Sequence, residues 1–143
     1  MKVVIKEQQL ADAITVSRQI PEFKAPYGVA EYKRRLAGVP HYILTAYVNG
    51  RPVGFKVGYE REGAFYSWMG GVLPQFRWQG IGDRLAARQE QWARQEGYSR
   101  GTIKTRRKYK AMLGLLQKRG YQILRTVSQH PVEETRIWLE KLL

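Results

Sequence analysis

The sequence predicts a mixed α/β fold in which a mostly antiparallel sheet carries helices on both faces. Patterns with a period of two, typical of strands, fill most of residues 41–72. Two helical stretches precede them, and strand and helix patterns alternate after Pro74. We therefore expect the order β-α-α-β-β-β-α-β-α-β-β, with one strand–helix–strand crossover near the centre and a single domain over residues 1–143.

The first elements are a short strand and two helices. Lys2–Ile5 has the composition of a strand, and apolar residues recur at helical spacing from residue 7 to about residue 20. Pro21 ends this helix, because the residue before a proline avoids the helical region. A second, shorter helix is expected over Val29–Leu36.

An antiparallel meander follows, and in the second half of the chain helices alternate with strands. Asn49-Gly50 predicts a two-residue hairpin turn, because both positions of that turn need a positive φ. The meander strands are expected at His41–Val48, residues 53–59 and Ala64–Val72. The later elements are expected as a helix from about Gly80 to Gly97, a strand at Gly101–Thr105, a helix at 109–116 that Gly120 ends, and strands at 121–127 and 135–139.

Composition narrows the function. The chain has 25 Lys and Arg against 12 Asp and Glu, a formal net charge of +13. This charge fits solubility alone, a nucleic acid partner, or a small polyanionic ligand such as a nucleotide cofactor. The chain has no cysteine, which excludes disulfides and thiol nucleophiles, and His41 and His130 are not spaced as metal ligands. No apolar stretch has the length of a membrane span. We therefore expect a cytoplasmic protein with neither a metal nor a membrane partner.

One loop carries the clearest chemical signal. Residues 72–82 leave a predicted strand and enter a predicted helix with the pattern Arg77-x-x-Gly80-x-Gly82. A helix N-terminus exposes unpaired N–H groups, and glycine lets a ligand approach the backbone, so this loop predicts a pyrophosphate site. The dinucleotide fingerprint fails because Leu85 stands at its third glycine, and no P-loop lysine follows.

This loop and the order of elements resemble the GNAT superfamily of acyl-CoA-dependent N-acetyltransferases. Arg77-x-x-Gly80-x-Gly82 resembles the family's signature for the pyrophosphate of coenzyme A, and the element order resembles its fold over nearly the whole chain. A second stretch, Tyr109-x-x-Met112-x-x-x-Leu116-x-x-x-Gly120-Tyr121, keeps the spacing of the family pattern Asn-x-x-Ala-x-x-x-Tyr-x-x-x-Gly-Phe, although three typed positions differ.

The resemblance implies acetyl-CoA as co-substrate and no metal. The pantetheine arm would lie between the fourth and fifth strands, where a bulge is expected at Gly70-Gly71 and a backbone N–H would polarise the thioester carbonyl. The basic run Lys104–Lys110 would lie beside the same cleft and attract the phosphates. The implied cofactor-binding residues are Gly70, Gly71, Val72, Arg77, Trp78, Gln79, Gly80, Ile81, Gly82 and Tyr109.

The implied reaction is direct attack of a primary amine on acetyl-CoA in a ternary complex. It needs a neutral amine and benefits from an acid that protonates the departing thiolate. The family's usual acid, a tyrosine, falls on Leu116, and its frequent strand-four carboxylate falls on Trp68. The candidate catalytic residues are therefore Tyr109, Glu22 and Glu60.

The partner is expected to be a small-molecule or peptide amine, bound by residues 20–36 and about 125–135. Two other interpretations stay open. One is a basic nucleic-acid-binding module, which aromatics within basic runs favour, although no helix-turn-helix, zinc-finger or RNA-recognition signature is present. The other is a catalytically silent CoA-binding regulator. The sequence also leaves a homodimer open.

Overall fold

The computed structural model describes residues 1–143, which form seven strands and four helices. These are β1 (Val3–Glu7), α1 (Leu10–Arg18), α2 (Val29–Leu36), β2 (His41–Val48), β3 (Arg51–Arg61), β4 (Ala64–Val72), α3 (Ile81–Gln95), β5 (Arg100–Arg106), α4 (Lys110–Lys118), β6 (Gln122–Val127) and β7 (Arg136–Leu142). The predicted order is confirmed. Helix α1 begins later than predicted, because Glu7 belongs to β1 and Gln8 has a φ of 61°.

All seven strands form one sheet in the order β1-β2-β3-β4-β5-β7-β6. Neighbouring strands are antiparallel except β4 and β5, which are parallel and are joined through α3, as the predicted crossover requires. Asn49 and Gly50 have φ angles of 50° and 76°, so the predicted hairpin turn is confirmed. None of the four helices is long and apolar enough to cross a membrane.

Helices cover both faces of the sheet. A Cβ on Gly54 would lie 3.3 Å from Ile81 of α3, whereas a Cβ on Gly71 would lie 2.5 Å from Ile20, which follows α1. Gly71 pairs with Phe55, the neighbour of Gly54, so these contacts lie on opposite faces of the sheet. We call the side with α1 and α2 the front face and the side with α3 and α4 the back face.

The main core lies between the sheet and helices α1, α2 and α3, and it contains 19 buried residues. A smaller cluster beneath α4 joins Leu116 with Tyr121, Ile137 and Leu139. Helix α4 lies beside α3 on the back face. Two packed layers therefore hold the first four strands rigidly, while the front of the β5-β7-β6 half carries no helix.

Strands β4 and β5 separate beyond their midpoints. Their paired register ends at Ser67 and Ile103. Residues 68–72 of β4 therefore have an open edge towards β5. This edge lies beside the loop that leads into α3, so the predicted gap and the predicted phosphate loop adjoin each other.

The bulge expected at Gly70-Gly71 is displaced in the structure. Both glycines pair with β3 in regular register, and the extra residue is Trp68, between the paired Ser67 and Met69. The extra residue changes which side chains face front. Tyr66 and Trp68 face front before it, and Gly71 faces front after it.

Candidate active site

The start of α3 presents a row of unpaired backbone N–H groups. The first helical bond runs from the Arg84 N–H to the Gly80 carbonyl at 3.0 Å. The N–H groups of residues 78–83 have no acceptor in the structure, and no side chain caps the helix. These donors and the positive end of the helix dipole favour a bound anion at this point.

The backbone of this loop is shaped for close approach by a ligand. Gly80 has a φ of 81°, and Trp78 has a φ of 65° although its side chain is 97% exposed. A left-handed non-glycine residue stores about 1 kcal/mol or more, and such strain is concentrated at binding loops. A Cβ on Gly82 would have only Val72 within 4 Å, at 3.8 Å. Packing within the protein therefore does not require glycine there, and its absent side chain leaves the N–H groups accessible.

The open edge of β4 offers further backbone groups. Leu73 donates to the Val53 carbonyl on β3 at 2.8 Å. Because amide groups alternate between the two sides of an antiparallel strand, Gly70 and Val72 direct theirs into the gap. Gly71 instead directs its amide to β3, and its missing side chain makes room for packing on the front face.

Arg77 and Glu22, expected as a cofactor ligand and a candidate base, contact each other. The Arg77 guanidinium donates to both oxygens of the Glu22 carboxylate, at 2.9 and 3.0 Å, and its Nε donates to the Val72 carbonyl at 2.9 Å. The hydrogen bond from Arg77 is the main cause that lowers the pKa of Glu22. A carboxylate held in this way is a weak proton acceptor.

The other two candidate catalytic residues lie on different elements. Glu60 accepts a hydrogen bond from the Tyr98 hydroxyl at 2.9 Å, and Tyr98 follows α3, so Glu60 faces back. Tyr109 immediately precedes α4 and is 37% exposed, with the Lys108 ammonium 5.2 Å from its ring centroid. No hydrogen bond joins Glu22, Glu60 and Tyr109 to one another.

The two positions expected for the family's acid and carboxylate hold apolar groups. Leu116 is 5% exposed and packs against Tyr121. Trp68 lies between the Tyr32 ring, at a centroid distance of 4.8 Å, and the Arg35 guanidinium, 4.5 Å from its own ring. Neither side chain can exchange a proton with a substrate.

A buried carboxylate organises the back face. Glu90 of α3 is 8% exposed and accepts from Arg119 at 3.0 Å and Lys141 at 2.7 Å. Burial lowers the pKa of the Lys56 ammonium in the same region to about 8. Nε of Arg119 and Nε2 of Gln89 are buried on the same face without an acceptor.

The front face carries a group of rings and cations that sequence reasoning missed. The Trp138 ring on β7 has Arg61, Arg125 and Lys104 at 4.7, 5.1 and 5.6 Å from its centroid. Tyr66 lies 5.5 Å from the same ring. We call the following six residues the front-face cluster: Arg61, Tyr66, Lys104, Arg125, Arg136 and Trp138. The signal was present as alternation within two strand segments, 100–106 and 136–142.

The basic run Lys104–Lys110 is not the uniform cofactor-side patch that was expected. Lys104 contacts Trp138 on the front face, while its neighbour Ile103 packs beneath α4 on the back. Consecutive residues of a strand point to opposite faces, so a contiguous basic sequence does not make one basic surface. Lys108 and Arg106 both contact Glu134, which reduces their net charge.

Together, the fold and the free N–H groups before α3 are those expected of one class of protein, an acyltransferase that uses an acyl-CoA. A sequence profile described as the acetyltransferase (GNAT) family matches residues 9–121, and the chain belongs to this family. Membership confirms the predicted class of reaction, acetyl-CoA-dependent N-acetyl transfer. No curated protein sequence matches the chain.

Solved structures show the same fold at low sequence identity. Ard1 from Thermoplasma volcanium has a TM-score of 0.84 at 17% identity, covering 100% of this chain and 99% of that one. The ribosomal-protein-S18-alanine N-acetyltransferase from Escherichia coli has a TM-score of 0.82 at 13% sequence identity. The match covers 99% of this chain and 94% of that one. A GNAT family acetyltransferase from Elizabethkingia anophelis with acetyl-CoA bound has a TM-score of 0.72 at 20% sequence identity. The match covers 99% of this chain and 98% of that one.

Proposed function

We propose that the chain transfers the acetyl group of acetyl-CoA directly to a primary amine, with both substrates bound at the gap between β4 and β5. The observation that carries this proposal is the row of free N–H groups at residues 78–83, next to the open edge of β4. In a coenzyme A thioester the pyrophosphate lies between the adenosine and the pantetheine arm, and the reactive carbonyl is at the far end of that arm; the two features match these two groups.

The residues present fit such a ligand. The N–H groups from Trp78 to Gly82 would hold the pyrophosphate. The amides of Gly70 and Val72 would bond the pantetheine arm, and one of their N–H groups would stabilise charge on the carbonyl oxygen. Arg77 supports this arrangement from the side, since it holds both the Val72 carbonyl and Glu22. When bound, acetyl-CoA supplies an activated carbonyl carbon for the amine.

The proposed acceptor is a primary amine. The E. coli structural neighbour acts on an alanine of ribosomal protein S18, and likeness at this identity carries no acceptor over. We propose a small-molecule or peptide amine for this chain, approaching from the front face, where no helix covers β5 and β7. A cytoplasmic setting and a single catalytic domain over residues 1–143 belong to the same proposal; the single seven-stranded sheet supports the latter.

Acetyl-CoA binding and turnover test the proposal in sequence. Saturating acetyl-CoA is expected to raise Tm, because a ligand that binds only the native state stabilises it. Release of free coenzyme A thiol is then measured with a panel of amines. No Tm shift and no heat of binding by calorimetry would contradict the proposed substrate.

A CoA-binding regulator without catalysis is the second candidate. It is favoured by one observation, that Leu116 and Trp68 occupy the positions of the usual acid and carboxylate. Positioning of two substrates alone can supply much of an enzyme's acceleration, so these residues do not exclude turnover. Acetyl-CoA binding without thiol release for any amine would favour the regulator.

A further inference from the structure

Lys104 of the front-face cluster stands at the opening between β4 and β5, and Trp138, Arg125 and Arg136 lie beside it on β7 and β6, whereas Arg61 and Tyr66 lie at the paired part of β4. Lys104 and Trp68 are the first residues beyond the last pair that joins the two strands, Ser67 and Ile103. Lys104 and Trp68 both lie on the front face, opposite the helices whose groove would hold coenzyme A. An amine that reaches the gap from the front must therefore pass the cluster.

Most of the positive charge of the cluster is not neutralised by a carboxylate of the protein; Arg61 alone forms an ion pair, with Glu62 at 3.5 Å. Lys104, Arg125 and Arg136 form no ion pair. Nε of Arg136 is buried and has no hydrogen-bond acceptor. Desolvation by burial lowers the pKa of Lys104, and four neighbouring guanidinium groups lower it further: Arg136, Arg106, Arg35 and Arg61.

The acidic residues of this face are already engaged. Glu31 accepts from Arg34 at 2.8 Å and from Arg35 at 3.0 Å. Glu134 holds Lys108 and Arg106. Positive groups that face one another without a counter-ion repel, which makes an external anion the missing partner.

Aromatic rings hold these cations in place. Three of them lie over the Trp138 ring within 5.6 Å of its centroid, and Arg35 lies 4.5 Å from the Trp68 ring. Such contacts stabilise a cation without neutralising it. A shallow surface depression beside them is lined in part by Arg61, Arg125 and Trp138.

Nucleic acid is a poorer match than a small anion. A single-strand site needs exposed aromatic faces on which bases can stack. Tyr66 and Trp138 are only 3% and 9% exposed, and cations cover Trp138. A polycationic amine would be repelled by the same charges.

We propose that the acceptor is a small amine that carries a carboxylate or a phosphate, and that the front-face cluster binds this anionic group; the inference rests on the proposed function. The anion would bind Lys104, Arg125 and Arg136 while the amine faces the gap. The surrounding positive charge would also lower the pKa of the acceptor's ammonium. The acceptor's amine would thus lose its proton without help from a carboxylate on β4, where Trp68 stands in this chain.

Matched acceptors test this inference through kcat/KM for thiol release. The carboxylate arm compares L-phenylalanine with L-phenylalaninamide, and the phosphate arm compares O-phosphoethanolamine with ethanolamine. Spermidine serves as the polycation. We expect an anionic member to exceed its uncharged partner by about tenfold or more, since a site built for a charge rejects the analogue that lacks it. The arm with the larger ratio identifies the anion.

Two variants locate the effect. Lys104→Met and Arg136→Met are expected to reduce the ratio of anionic to uncharged acceptor to near one, with the Kd for acetyl-CoA unchanged. Lys2→Met removes an exposed lysine beside β1, at the far edge of the sheet, and is expected to keep the ratio. Equal rates for charged and uncharged acceptors, or an unchanged ratio in both cluster variants, would overturn the inference.

The outcome also separates this inference from the proposed function. If thiol is released equally with charged and uncharged acceptors, the proposed acetyltransferase function stands and the anionic acceptor is rejected. If no amine releases thiol, calorimetry with O-phosphoethanolamine and L-phenylalanine decides: binding that Lys104→Met abolishes supports the anion site, and absence of binding rejects it. Tighter binding of a single-stranded oligonucleotide, lost in Lys104→Met, would replace the small anion with nucleic acid.

Discussion

The guanidinium of Arg77 binds the carboxylate of Glu22 through two hydrogen bonds, at 2.9 and 3.0 Å, across 55 residues of sequence. The same arginine holds the carbonyl of Val72, the last residue of β4. The contact ties the loop after α1 to the loop that precedes α3. The candidate base and the candidate phosphate ligand are thus engaged with each other, and both roles stay predictions.

Glu22→Gln is expected to leave turnover within about twofold and Tm nearly unchanged, since an exposed ion pair contributes about 0–1 kcal/mol. Arg77→Met is expected to weaken acetyl-CoA binding more, because it also loses the bond to Val72. Calorimetric Kd, Tm and kcat measure the three effects. A hundredfold loss of kcat in Glu22→Gln with a shifted pH profile would instead make Glu22 the general base.

Gly82→Val is expected to fold and to lose at least about tenfold in acetyl-CoA affinity. Its Cβ has room within the protein, but its methyl groups would crowd the free N–H groups of the α3 start. Gly114→Val is the matched control, because Gly114 lies in the middle of α4 with nothing within 4 Å of a Cβ. Both should show native circular dichroism. Unchanged Kd in Gly82→Val would contradict the phosphate loop.

Glu90→Gln is expected to destabilise the fold by about 3 kcal/mol, because it leaves the cations of Arg119 and Lys141 without their buried counter-ion. Urea unfolding gives the free energy. Glu96→Gln, at the exposed end of the same helix, should change stability by about 0.5 kcal/mol or less. Equal losses in the two variants would show that the Glu90 contacts contribute nothing specific.

Lys56→Met is expected to stabilise the protein at neutral pH and to lose that advantage in alkali. The folded-state pKa of about 8 lies below the usual 10.5, so the folded protein binds its proton less tightly than the unfolded chain does. The penalty is complete below pH 8 and disappears as pH rises towards 10.5. The maximum gain is about 3 kcal/mol. A Tm difference that does not shrink between pH 7 and pH 10 would contradict this origin.

Residue periodicity and turn residues were enough to predict the fold, because each helix, strand and turn has its own pattern within a few residues. The pair Asn49-Gly50 predicts its hairpin turn directly. The free N–H groups at Gly80–Gly82 follow from a glycine-rich segment at the start of a helix. The bulge could not be placed, because register is decided by cross-strand pairing and not by the glycines of one strand. The basic run does not show which face each residue occupies for a related reason, since consecutive strand residues point to opposite faces and Lys104 contacts Trp138.

Local sequence patterns could not predict the contacts of the candidate catalytic side chains. Glu22 and Arg77 meet only in the folded chain, and no short-range spacing encodes a pair 55 residues apart. Glu60 and Tyr109 stay predictions, with Glu60 engaged by Tyr98 and Tyr109 half-exposed beside α4. Arg61, Lys104 and Trp138 likewise converge from three strands.

The extra residue at Trp68 divides β4 into two independently variable segments. In the first segment, Trp68 contributes its ring to the face that an acceptor would meet, while the buried Tyr66 ring packs against Trp138. After it, Gly70 and Val72 contribute only main-chain atoms to the opposite task. If the proposed sites are occupied, substitutions in the first segment would alter the preferred acceptor during evolution while the proposed coenzyme contacts persist. A one-residue deletion, by contrast, would rotate one segment against the other and exchange the two tasks.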